Sequence, residues 1–423
     1  MELTQLKDYK SKRPVSLEKR QRVQSEIFKS DELTRMIDEN IEEVRRIGYA
    51  KLVVPPNLHS IDNNRLPKNV KFVSDTLINA GFKAYLCGGT VRDLVLGEVV
   101  NDFDFVTNAA NDDLEKLFEG IHFFEIPTGH RLAYLDFGDE VIDVATMVNI
   151  PSEYHGKDGV PEFDPASLYS DSPLFDAFQR DLTFNAMYYD TETCEVIDYL
   201  AGLYCLREGI IKTPCHARDT FDYDPRRVIR AIRFACRFGF VLSGDMDEEL
   251  RARGSDYIRR IKPRDMRSLL PRLFNSGFSR HSAEMLMDYN LFGEVFPPVK
   301  EKMTNPHYVD YALHTSRAAD WLFDEGTWAL PIVVMAAFLW PAIKDARNAG
   351  CINPLSHVWE LQQTVLSMFD EEEEFFKEIL LMETDESDRS HIKKELIEIF
   401  EKPDFKDGLK VLHLYYMENR HKL

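Results

Sequence analysis

Between Lys71 and Met147 the apolar positions fall into two spacings. A spacing of three to four marks an amphipathic helix, and a spacing of two marks a strand with one covered face. The stretch FVSDTLINAG predicts a helix that leads through Gly81 into a short strand, AYLCGG. A brief helix over TVRDLVLG, a strand at DFDFVT, a helix over NDDLEKLFEG and strands at RLAYLDF and EVIDVATM follow in order. Such mixing predicts a compact head of strands and helices. Residues 1–65 read as a charged, helix-prone leader ending at Pro55-Pro56, without chemistry of their own. Pro151 to Phe178 is rich in Pro, Gly, Ser, Asp and Tyr with no period, which predicts a long mobile excursion. From Leu206 onward strand signals vanish and helical ones take over, with breaks expected at Pro263, Pro271, Pro297-Pro298, Pro306 and Pro354. The chain is therefore predicted to be α+β.

At about 150 residues per domain, 423 residues predict roughly three units. No apolar run reaches the about 18 residues a membrane span requires, since Trp328 to Ala342 is followed at once by Lys344 and Asp345. The N-terminus lacks the apolar stretch of a signal peptide. The six cysteines are scattered with no CxxC pair, so reduced thiols in a cytoplasmic protein are expected rather than a zinc site or a disulfide framework.

The formal net charge of -20 argues against a protein that coats nucleic acid with its whole surface. Position changes the picture. Leu206 to Arg280 holds 17 basic against 10 acidic residues, leaving 35 against 62 for the rest of the chain. Within that basic stretch, Asp224-Pro225 opens the run PRRVIRAIRFACRF, a capping residue followed by proline at the first helical position. At about 100° per residue, Arg226, Arg230, Arg233 and Arg237 form one stripe, opposite Val228, Ile229, Ile232, Ala235 and Cys236. A file of guanidinium groups of this kind suits phosphates and base edges. The plain alternative is a solvated helix face.

Four further features carry chemistry. Gly88-Gly89 stands between a strand and a helix start, where backbone N–H groups can approach an anion and the helix end adds partial positive charge. Arg92 lies just inside that helix. In Asp102-Phe103-Asp104, residues two apart on a strand share a side, so both carboxylates converge while Phe103 and Phe105 face the core. Two hard oxygen donors suit magnesium, which takes its remaining ligands from water and phosphate. Asp143, inside the apolar strand EVIDVATM, either needs a partner or metal or points outward. Gln179-Arg180-Asp181-Leu182-Thr183-Phe184-Asn185 supplies a cation, a carboxylate and an amide, or else a capped helix start. Together they fit magnesium-dependent phosphoryl or nucleotidyl transfer. The chain has no G-x-x-x-x-G-K-[ST], so this is no P-loop, and no histidine precedes an aspartate.

Through YLCGGTVRDLVLGEVVNDFDFVTNA, RDLTFNAMYYD and DPRRVIRAIRFACRFGF the chain resembles the class II nucleotidyltransferases that extend RNA 3′ ends, namely bacterial poly(A) polymerases and CCA-adding tRNA nucleotidyltransferases. The resemblance implies a polymerase-β-like head at 66–205 after an N-terminal extension at 1–65. A nucleotide-selecting helical neck at 206–275 and an RNA-holding helical body and tail at 276–423 complete it. It implies two Mg2+ ions at Asp102 and Asp104, with Asp181 or Asp143 as a third acidic group. It assigns Gly88, Gly89 and Arg92 to the triphosphate, and Arg180 and Asn185 to the nucleotide. Asp224 and Arg227, with Arg230 and Arg233 beside them, are assigned to the incoming base. Gln179 stands where relatives have a first arginine, and Tyr223 where many have glutamate.

The turn DYLAG and the stretches DYNLFGEVFPPV and AAFLWPAI look more like poly(A) polymerases, while IPTG at 126–129 looks more like CCA enzymes. The expected function is template-independent addition of AMP from ATP to RNA 3′ ends, with CTP and ATP addition to tRNA as the alternative. The expected partners are ATP or CTP and the 3′ end of an mRNA or tRNA, with no membrane. Two further alternatives are a non-catalytic RNA-binding protein on this scaffold and transfer to a protein or small molecule.

Overall fold

The computed structural model describes residues 28–100, 102–118, 132–138, 140–147, 172–274, 276–324, 331–351 and 354–365. Two compact units emerge: the described residues from 28 to 220 together with 238–246, and 221–237 together with the described residues from 247 to 365. The neck expected at 206–275 is thus no unit of its own.

The first unit is built on a seven-stranded sheet of β1 (Leu52–Val54), β2 (Tyr85–Cys87), β3 (Phe103–Thr107), β4 (Leu132–Asp136), β5 (Val141–Thr146), β6 (Met187–Asp190) and β7 (Glu195–Asp198). Their order across the sheet is β1-β7-β6-β2-β3-β5-β4. Only β3 and β5 run parallel; every other neighbouring pair in this sheet is antiparallel. The predicted strands and the helices Lys68–Asn79, Gly89–Val95 and Asn111–Leu117 stand where the periodicity put them. Leu86, Phe105, Val106, Ile142, Val144, Tyr188 and Tyr189 are buried along the middle of the sheet.

Part of the supposed leader belongs to this unit. Ser30 caps the helix Asp31–Ile47 by accepting the Leu33 N–H, Asp31 and Glu32 occupy its first turn, and Gly48 ends it at φ 90°. The helix buries Leu33, Ile37, Ile41 and Val44, and the chain continues into β1, which pairs with β7 in register Val53↔Ile197. The abundant charge of this stretch lies on the helix's other face, and this masked the apolar stripe in the sequence.

The second unit is helical. It takes in most of Arg226–Phe238 and Gly244–Arg260, followed by Pro263–Phe274, Ser279–Asp288, Phe292–Val295, Pro306–Asp324, Pro331–Asn348 and Pro354–Gln363. Phe274, Phe292, Phe296 and Phe338 pack ring on ring at its centre, with centroids 5.0–5.8 Å apart. Pro271 does not break its segment as expected but sits inside the helix Pro263–Phe274, whose Leu269, Leu270, Leu273 and Phe274 are buried around it. After Leu206 two two-residue strands, Ile210–Ile211 and Val241–Leu242, pair in parallel, a departure from the all-helical expectation. No described helix is long and apolar enough to cross a membrane. Residues 151–171, IPTG at 126–129 and the acidic run near 370 lie outside the described residues.

Candidate active site

Strand β2 ends at Cys87, and Gly88 turns the chain at φ 66°, ψ −135° into the helix Gly89–Val95. That φ lies in the region that side chains with a Cβ avoid. Space does not forbid one, since a Cβ on Gly88 would only come into contact, at 3.4 Å, with both Asp104 Oδ2 and Arg180 Nη1, so the backbone angle is what calls for glycine. A carboxylate and a guanidinium therefore meet at this turn. The helix has only seven residues, so its end adds little, and the turn's own backbone and the adjacent cation dominate.

The alternation in β3 works as expected. Phe103 and Phe105 are buried, Asp104 is half-buried on the other side, and Asp102 is exposed just before the strand. In β5 the buried positions are Ile142, Val144 and Thr146, which leaves Asp143 on the opposite face. The parallel pairing sets Asp104 directly against Asp143, and the antiparallel pairing with β4 sets Tyr134 against Asp143. Tyr134, Asp143 and Asp104 thus form one row across three strands. Burial, then the negative charges of Asp104 and Asp102, pushes the Asp143 carboxyl up to about 7. Burial together with Asp143 and Asp104 also pushes the Tyr134 hydroxyl up.

Like charges so placed gain from a divalent cation between them, and their oxygens are the donors magnesium takes. Among the described residues no three His, Cys, Asp or Glu side chains enclose a metal by themselves. An incomplete protein shell leaves positions for water and phosphate, which is magnesium's usual habit at nucleotide sites.

Arg180 follows the helix Leu174–Gln179. Its Nε and Nη2 donate to Asp176 Oδ2 at 2.8 and 2.7 Å, and Nη2 reaches Cys87 Sγ at 3.2 Å. Burial opposes its charge, but Asp176 more than compensates and holds it protonated. Asp176 also accepts from the Tyr188 hydroxyl at 2.6 Å. The sequence reading missed Asp176, although its spacing of four from Arg180 was the available signal.

Arg92, Asp181 and Asn185 are arranged differently from expectation. Arg92 is 4% exposed; Nε and Nη2 donate to Asp93 at 2.8 and 2.7 Å, and Nη1 donates to Asn185 Oδ1 at 2.6 Å. Its guanidinium also lies over the Phe238 ring at 5.5 Å. Asn185 Nδ2 in turn donates to Asp181 Oδ1 at 3.0 Å, and the same oxygen accepts the Leu182 N–H. All four side chains of this chain from Asp93 to Asp181 are buried. The 3-10 turn Thr183–Asn185 brings positions 181 and 185 together. The register sets Asp143, not Asp181, beside Asp104. The Arg92 guanidinium lies close beside the turn, where a Cβ on Gly89 would be 3.3 Å from its Nη2.

In the second unit the arginine stripe is present as read. Val228, Ile229, Ile232, Ala235 and Cys236 are buried, while Arg226 is exposed and Arg230, Arg233 and Arg237 are half-buried. Asp224 Oδ1 accepts the Arg226 N–H at 3.0 Å, and Arg226 Nε and Nη2 fork onto its two oxygens at 2.8 and 2.9 Å. Arg227 is buried, with its guanidinium over Tyr223 at 5.4 Å, and Arg233 lies over Phe234 at 4.2 Å. Two residues before Asp224, Asp222 receives Arg253 and Arg260, an anchor the sequence reading did not identify.

Residues 84–212 match the poly(A) polymerase head domain. Poly(A) polymerase I of Escherichia coli O6:H1 is 31% identical over 260 residues, which are 60% of this chain and 55% of that protein. The chain thus matches about half the length of that relative. The CCA-adding enzyme of Bacillus subtilis strain 168 is 29% identical over 248 residues, 58% of this chain and 60% of the relative. The fold is that of the Thermotoga maritima CCA-adding enzyme solved in complex with tRNA, with a TM-score of 0.53 at 19% identity over 84% of this chain and 94% of that one. With the glycine turn and the paired aspartates in agreement, residues 84–212 form a head domain like that of the poly(A) polymerases, and the chain is similar to both poly(A) polymerases and CCA-adding enzymes.

Proposed function

We propose that the protein extends RNA 3′ ends without a template, joining AMP from ATP and releasing pyrophosphate. The observation that carries this reading is the register of Asp104 against Asp143, with Asp102 two residues earlier and the Gly88 turn against Asp104. Asp102, Asp104 and Asp143 are the residues that would hold two magnesium ions. When bound, these ions supply charge neutralisation at the phosphates and activation of the attacking hydroxyl. Gly88 lets the triphosphate approach the backbone, and Arg180 offsets its charge from across the turn. The buried chain Asp93–Arg92–Asn185–Asp181 keeps the turn and the following helix in place rather than touching the nucleotide. Asp224 and Arg227 select the base, one offering acceptors and the other donors. The homology to poly(A) polymerase I and the bacterial origin of the relatives support an ATP-using enzyme working in the cytoplasm.

Addition of CTP and ATP to tRNA is the second reading, favoured by the match to the Bacillus subtilis CCA-adding enzyme. The deciding experiment offers each nucleotide separately, with magnesium, to a tRNA lacking its 3′ end and to an unstructured RNA. A homopolymeric A ladder supports poly(A) addition. Exactly three additions that require CTP support the second reading, and no extension of either RNA rejects both.

A further inference from the structure

The pairing of β2 with β3 stops early. Tyr85 faces Val106 and Leu86 faces Phe105, but the Gly88 turn carries the chain away before Asp104 and Asp102 are reached. The backbone flanking Phe103 would then be left without its ladder partner on that side. The Thr90 hydroxyl fills the gap. Its Oγ1 accepts the Asp104 N–H at 3.0 Å and donates to the Asp102 carbonyl at 3.0 Å, and the residue is 1% exposed.

We propose that Thr90 is a positioning residue that sets the Asp102 and Asp104 carboxylates for binding divalent cations. The inference rests on the nucleotidyl-transfer reading and adds a residue to that same site. One oxygen uses its single proton and one of its lone pairs to grip both sides of the same residue. The grip fixes the direction in which positions 102 and 104 project, and it ties that direction to the glycine turn two residues before Thr90. Serine can make both contacts; valine keeps the β-branched shape and makes neither.

The test uses the full chain with threonine, Thr90→Ser and Thr90→Val, and Mn2+ as the probe, titrated by electron paramagnetic resonance without RNA. Groups that orient metal ligands typically change metal affinity or activity by about 10- to 100-fold. Thr90→Val is expected to weaken Mn2+ binding at least about tenfold and to lower kcat for AMP incorporation by a similar factor, with KM for ATP within about threefold. Thr90→Ser should stay within about threefold of the parent in both. Unchanged Mn2+ binding in Thr90→Val, or equal damage in Thr90→Ser, overturns the proposal. Should the valine variant fail to fold, amide exchange of the unmodified protein decides. A slowly exchanging Asp104 N–H supports the clamp, and a freely exchanging one refutes it. A parent that binds Mn2+ yet extends no RNA sinks the functional reading, while the Mn2+ comparison still judges Thr90.

Discussion

Asn185 is the position where the sequence and the structure lead to opposite experimental outcomes. A nucleotide-contacting amide, removed, raises KM for ATP and leaves the fold intact. A buried connector, removed, does the reverse. Asn185→Ala deletes the acceptor of Arg92 Nη1 and the side-chain donor to Asp181 Oδ1, both buried. Each is a hydrogen bond to a charged group, worth about 1.5–3 kcal/mol. Arg92 keeps its fork to Asp93 and Asp181 keeps the Leu182 N–H, so relaxation recovers part of the loss. The expected net cost is about 3 kcal/mol, or about 6–12 °C in the melting temperature of a unit this size. Calorimetric unfolding should show that drop, and steady-state AMP incorporation measured well below the transition should show KM for ATP within about threefold of the parent. A variant that melts with the parent but has KM raised about tenfold or more would refute the supporting role and restore the direct contact.

Asp102 is exposed, so Asp102→Ala should leave the melting temperature within about 2 °C while lowering AMP incorporation by about 10³-fold or more; substantial residual turnover counts against the metal assignment. Asp143 is pushed up by burial and by Asp104 and Asp102, so its ionisation opposes folding as pH rises from the ordinary carboxylate range toward about 7. In chelator, Asp143→Asn should therefore melt above the parent at pH 8, with the gain shrinking as pH falls toward 4, while incorporation drops. A parent that is the more stable at pH 8 without metal would contradict this. Asp224→Ala should relax the preference for ATP over the other nucleotides by about tenfold, more than it slows incorporation of ATP itself. Single-nucleotide extension with all four triphosphates measures this, and unchanged selectivity rejects the template role.

Short-range order was largely readable from the residues. Alternation in DFDFVT and EVIDVATM assigned Phe103, Phe105, Ile142 and Val144 to one face and Asp102, Asp104 and Asp143 to the other, because a strand's side chains change sides at every residue. The stripe on Arg226–Phe238 was readable for the corresponding reason, at the helical period. The glycine turn was visible because only glycine tolerates its backbone. Where charge outweighed the apolar stripe, in Asp31–Ile47, and where a proline was read as a break at 271, local composition misled. Packing of the apolar face overrode both signals.

What the residues alone left open was partner choice. Asp181 was expected beside Asp102 and Asp104, with Asp143 as another possible third carboxylate, since nothing local says which strand lies beside β3. The parallel pairing of β3 with β5 sets Asp143 beside Asp104, while Asp181 accepts from the buried Asn185 amide. Arg92 and Thr90 turned inward for the same reason. A side chain's chemistry is written in its own atoms, but its neighbour is fixed by which distant segments the core draws together, and that depends on the whole chain at once.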